Sequence, residues 1–162
     1  MEFLLLFTIM MFFVKISIVD WQEHAIYDKD IFVTGVFILL YKGLYGNLLN
    51  AFTGGLTALL LGFLIFAVVY KFYGFEAFGQ GDVLLLAILG LFLEDNFLNY
   101  FALATMINGI VVPCSILFFK QRFNASVEIA YAPIILAWIP LYYHLGFPST
   151  LDLYDGVFKL LF

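Results

Sequence analysis

Residues 51–73 read AFTGGLTALLLGFLIFAVVYKFY, and no acidic or basic side chain interrupts them before Lys71. An α-helix rises about 1.5 Å per residue, so the roughly twenty uncharged residues from Ala51 to Tyr70 suffice to cross about 30 Å of hydrocarbon. Gly54, Ala58 and Gly62 recur every fourth residue, a small-residue stripe along which a second helix can pack closely. The stretch therefore reads as a membrane-spanning helix with one face reserved for a neighbour.

The rest of the chain repeats the pattern. Of its 162 residues, 65% are hydrophobic, 20% aromatic and 12% charged. Water-soluble domains carry about 25% charged residues, too many to be matched by this chain. Apolar runs predict helices at 3–19, 31–45, 51–73, 82–93, 98–119 and 129–146, with 149–162 at the interface. The expected fold class is all-α: a polytopic membrane protein, a bundle of about six transmembrane helices forming one embedded domain over residues 1–162. The runs at 31–45 and 82–93 are short for a bilayer, and the former carries Lys42 near its end, so extension into the flanks or snorkelling is expected. The first run lacks the basic start and small-residue cleavage site of a signal peptide, so it reads as a span.

Lys29, Lys71, Lys120 and Arg122 fall in the loops after spans one, three and five, against Lys42 and Lys159 on the other side. The positive-inside rule then puts those three loops in the cytoplasm. With a net charge of -5 and no extended basic run, nucleic acid is excluded as a partner. Cys114 is the only cysteine and lies in the apolar run 109–119, where it reads as a small packing residue; no disulfide or cysteine metal cluster is possible within the chain. Gly-x-Ser-x-Gly, His-Glu-x-x-His and phosphate-binding glycine loops do not occur, which removes serine hydrolase, zinc protease and nucleotide-driven chemistries.

In so apolar a chain each ionisable residue near a span needs a reason. Asp20 closes span one and Asp82 opens span four, so both stand on the same face after an odd number of crossings. Asp82 follows Gly79-Gln80-Gly81, whose glycines permit positive φ and close backbone approach. Two readings stay open for Asp82 alone: a helix N-cap, or a carboxylate held against another element. Paired with Asp20 it suits aspartyl proteolysis, in which an ionised carboxylate activates water and a protonated one donates to the scissile carbonyl. Two such charges about 4 Å apart repel by roughly 4 kcal/mol at an effective dielectric of about 20, so sharing one proton is the natural state.

The remaining polar residues carry weaker signals. Glu23, Asp28, Asp30 and Glu76 read as loop solvation, or as an acidic mouth for a basic peptide. His24 is a solvated loop residue with no second ligand at metal-binding spacing, and His144 is interfacial. Lys15 most simply snorkels to the headgroups, with a counter-ion role beside the two aspartates as the alternative. Pro113, Pro133 and Pro140 interrupt apolar helices, and a kink at Pro133 would open backbone at the depth of Asp20 and Asp82.

These residues resemble the type IV prepilin peptidases, membrane aspartyl proteases with a Gly-x-Gly-Asp motif. The resemblance spans nearly the whole chain: Ile18-Val19-Asp20 followed by Ile26-Tyr27-Asp28, Gly54-Gly55, Gly79-Gln80-Gly81-Asp82-Val83, and Ile129-Ala130-Tyr131-Ala132-Pro133 fall in the family's order. It implies Asp20 and Asp82 as the catalytic pair, supported by Gly79 and Gly81. Glu23, Asp28, Glu76 and Pro133 are then candidates for substrate binding. It also implies no cofactor or metal, and prepilin-like substrates cut at the cytoplasmic face of the cell membrane between a basic leader and a hydrophobic stem. The chain departs from the family pattern at Leu84, where a lysine is common, and at Tyr27, where a proline is; both carboxylates remain. Longer bacterial members carry a methylating domain with zinc-binding cysteines, and since span one begins at once that activity is not expected. The competing functions are an ion or solute transporter, which would place acids near the bilayer midplane, and a noncatalytic assembly subunit.

Overall fold

The computed structural model describes residues 1–73, 79–119 and 131–139, with side chains of the fifth helix given as far as Ile110. Five long helices occupy them: α1 Glu2–Glu23, α2 Asp28–Tyr45, α3 Leu48–Tyr73, α4 Gln80–Leu93 and α5 Phe97–Phe119. A 3-10 turn Glu94–Asn96 joins α4 to α5, and a short α6, Tyr131–Leu136, completes the described residues, among which there is no strand. The all-helical class is as expected.

The described residues do not confirm a count of six spans. Among the described residues two helices, α1 and α3, are long and apolar enough to cross a membrane. α2 fails because it carries Asp28, Lys29, Asp30 and Lys42, and α4 because its 14 residues reach only about 21 Å. The expected helix over 129–146 is described only from Tyr131 and gives way to a turn after Leu136. Glu76, Lys120, Arg122, Pro140, His144, Lys159 and the segment 149–162 lie outside the described residues.

α4 forms the core. Val83, Leu85, Leu86, Ile88, Leu89, Gly90, Phe92 and Leu93 are all buried, so the helix is covered on nearly every side. α3 lies against it through Ala51, Gly54, Gly55, Ala58 and Gly62, all buried, while Phe52, Leu56, Leu60, Phe63 and Leu64 are each more than half exposed. Small side chains point inward and large apolar ones outward, the reverse of a soluble helix and the arrangement a lipid surround favours. The packing is backbone against backbone: a β-carbon on Gly54 would lie 2.5 Å from the Gly90 carbonyl oxygen, and one on Gly90 would lie 2.4 Å from the Ala58 β-carbon.

Lys42 does not snorkel. Its Nζ pairs with Glu94 Oε1 at 2.8 Å, both side chains largely buried, and lies 5.7 Å from the centre of the Phe92 ring. The pair ties the end of α2 to the turn after α4, where an unpaired charge would be costly.

Substituting Gly90→Ala or Gly54→Ala should force α3 and α4 apart, costing about 3 kcal/mol and lowering the unfolding temperature in detergent. Gly109→Ala on α5, whose β-carbon would meet nothing within 4 Å, is the control and should leave stability equal or slightly raised. An unchanged unfolding temperature for Gly90→Ala would refute the contact.

Candidate active site

α1 runs a turn beyond its expected end, because His24, with φ 50°, supplies a left-handed cap whose N–H donates to the Asp20 carbonyl at 2.9 Å. Asp20 thus sits inside the last turn and is 5% exposed. Its Oδ2 accepts the backbone N–H of Ala132 at 2.7 Å, which fixes the carboxyl against the first turn of α6. Ala132 was not singled out as a functional residue. The block around Pro133 was the available signal, but a backbone donor leaves no trace in side-chain chemistry.

At the head of α4, Gly79 is the N-cap, so Asp82 is the third residue inside the helix, a correction to its reading as the cap. Asp82 Oδ2 accepts the Gly79 N–H at 2.8 Å, satisfying one of the donors a helix start leaves open. Gly79 is extended, with φ -90° and ψ 165°, and neither motif glycine occupies the left-handed region. What Gly81 supplies is proximity: a β-carbon there would lie 3.0 Å from the β-carbon of Ile26, in the connection that follows Asp20.

Asp82 feels Asp20. Burial pushes its carboxyl up from 3.8 to about 6; the Gly79 N–H opposes this, and the charge of Asp20 adds to it. The helix ends thus bring the two carboxyls within electrostatic reach, and Asp82 keeps its proton to a higher pH than an ordinary carboxyl, up to about 6.

The other candidates divide. Glu23 and Asp28 are exposed on the same end of the molecule, and the Tyr27 hydroxyl donates to Glu23 Oε2. Asp30 is not a solvated loop residue: it is buried in the first turn of α2 and paired with Lys15 at 2.6 Å, so Lys15 neither snorkels free nor serves as a counter-ion to Asp20. Pro133 is the third residue of α6, where its missing N–H breaks no intrahelical bond, so no kink is required. It lines an open groove of about 700 Å³ between α1 and α6 with Phe13, Ser17, Ile18, Trp21 and Leu136. Leu84 is 38% exposed. His24 is exposed, and among the described residues no group of three His, Cys, Asp or Glu side chains could hold a metal ion.

The model of the type IV leader peptidase family matches residues 5–114, about two thirds of the chain. The chain belongs to that family. The matched region contains Asp20, Gly79, Gly81 and Asp82, and ends before Pro133. Family membership together with the apolar α1 and α3 makes the chain a membrane protein of a peptidase family. No curated protein and no solved structure matches it.

The position of the Asp82 proton has a consequence for stability. A carboxyl whose folded value exceeds its unfolded value binds more protons when folded, so it favours folding at low pH and opposes it as pH rises from about 4 through about 6. Asp82→Asn keeps an acceptor for Gly79 and removes the charge. Relative to wild type it should gain on the order of 2 kcal/mol at pH 8 and lose that gain by pH 4. Thermal unfolding in detergent across this range tests it, and a pH-independent difference would refute the buried, coupled state of Asp82.

Proposed function

We propose that the chain is an aspartic endopeptidase that removes the leader peptide of prepilin-like proteins at the cytoplasmic face of the cell membrane. The observation that carries the reading is the pair Asp20 and Asp82, each at a helix end and coupled by charge, within a region that matches a leader peptidase family. Two acids at helix ends on one face give a transporter no midplane site, and a noncatalytic subunit would have no use for the coupling.

In this reading Asp82 holds the shared proton and Asp20 is ionised, its orientation set by the Ala132 N–H. A water between them gives a proton to Asp20 as its oxygen attacks the scissile carbonyl carbon, while Asp82 donates its proton to the carbonyl oxygen. The resulting gem-diol collapses when Asp82 takes back a hydroxyl proton and Asp20 protonates the departing amine; carboxylic acid and amine leave, and one proton is again shared. Glu23 and Asp28, both exposed, receive the basic leader, and Glu76 joins them in this role. The groove beside Pro133 takes the apolar stem, whose transfer from water to an apolar wall supplies affinity without selectivity. Lys29, Lys71, Lys120 and Arg122 support the cytoplasmic placement of this end.

Groups that act as one unit lose function non-additively. Asp20→Asn, Asp82→Asn and the double substitution should all fall to one floor, at least about a thousandfold below wild type, whereas Asp28→Asn should keep most activity. The assay is cleavage of a prepilin-like peptide by purified protein, normalised to folded enzyme. Near-normal turnover of either single variant would sink the assignment.

Wild-type activity should also decline above about pH 6 as Asp82 gives up its proton. A rate that climbs steadily from pH 6 to pH 9 would place the donor elsewhere.

A further inference from the structure

The ion pair between Lys15 and Asp30 takes no part in the chemistry above. The Asp30 side chain is only 7% exposed, and Lys15 Nζ stands 2.6 Å from its Oδ1. A half-exposed lysine ordinarily contributes little to a surface bridge. Here it compensates a buried carboxylate, which its loss would leave uncompensated. The backbone around Asp30 is also fixed: its N–H donates to the Tyr27 carbonyl at 3.0 Å, and its carbonyl accepts the buried Thr34 hydroxyl at 2.6 Å. Asp30 is thus a rigid anchor on α2, to which α1 is tied five residues before Asp20.

Between Asp20 and this anchor the chain makes one short excursion. His24 turns it out of α1, and Ile26 then lies so close to Gly81, the residue before Asp82, that a β-carbon on Gly81 would stand 3.0 Å from the Ile26 β-carbon. The chain leaving Asp20 therefore comes back against Gly81, next to Asp82, at Ile26, and Lys15–Asp30 closes the loop that carries Ile26.

We infer that the Lys15–Asp30 ion pair is a positioning device: by holding the start of α2 against α1 it presses Ile26 onto Gly81 and so sets the separation of Asp20 and Asp82. This rests on the reading of Asp20 and Asp82 as the reacting pair. Neither Lys15 nor Asp30 touches substrate, so their loss should appear in kcat and leave KM nearly unchanged.

Purified full chain and a prepilin-like peptide provide the first readout. Lys15→Met should lower kcat per folded enzyme at least tenfold with KM within twofold, Lys15→Arg should stay near wild type, and Lys15→Asp combined with Asp30→Lys should recover a substantial part. Should Lys15→Met fail to accumulate, Asp30→Asn breaks the pair without leaving a buried charge and should lower kcat at least threefold. The second readout needs no activity: with Cys114→Ala, the pair Ile26→Cys and Gly81→Cys should crosslink on oxidation, and at least fivefold more slowly once Lys15→Met is added. Unchanged kcat and crosslinking would overturn the inference. So would a rise in KM alone, or losses that merely track protein abundance. A wild-type chain that cleaves nothing, or Asp20→Asn and Asp82→Asn variants that remain active, would overturn the dyad reading instead; the crosslinking result then decides the positioning claim by itself.

Discussion

At Gly54 and Gly90 the backbones of α3 and α4 approach until a β-carbon on either would fall 2.5 Å or 2.4 Å from a carbonyl oxygen of the other helix. Lipid is as apolar as leucine, so two helices in a membrane gain little by burying large side chains against each other, and they associate where small residues allow close dispersion contact. This contact places α4. With 14 residues the helix is too short to be positioned by the two faces of a bilayer, so its depth is set by the longer α3 that flanks it. The level of Asp82, in the first turn of α4, follows from that contact.

Charge is handled by the same logic of confinement. In an apolar surround an isolated ion is expensive, and the described residues answer with compact pairs rather than with networks: Lys42 with Glu94 at one end of α4, Lys15 with Asp30 near the other. Asp20 and Asp82 are the exception. Neither faces a cation in these pairs; each accepts a backbone N–H instead, Asp20 from Ala132 and Asp82 from Gly79. Burial first, and then the charge of its neighbour, push the Asp82 carboxyl up.

The same end of the molecule combines two surfaces of different chemistry. Glu23 and Asp28 are exposed, while the groove lined by Phe13, Ile18 and Pro133 is apolar.

Much of this is written in the order of residues. The membrane setting follows from apolar runs alone, because burying charge in lipid is prohibitive whatever the fold. The stripe Gly54, Ala58, Gly62 announced a close helix contact through its spacing. Tertiary structure decided what local sequence could not encode. Lys42 looked like a snorkelling residue because its partner Glu94 is distant in sequence, and Asp30 looked like loop solvation because its burial depends on α1 packing against α2. The turn beyond the expected end of α1 depended on His24 adopting a left-handed conformation. The Ala132 amide at Asp20 is a backbone group that any residue but proline presents, so only the meeting of α1 and α6 makes it part of the site. Sequence determined which groups must leave water or lipid; the fold decided which partners they find, because a contact between distant segments is a property of packing and not of either segment.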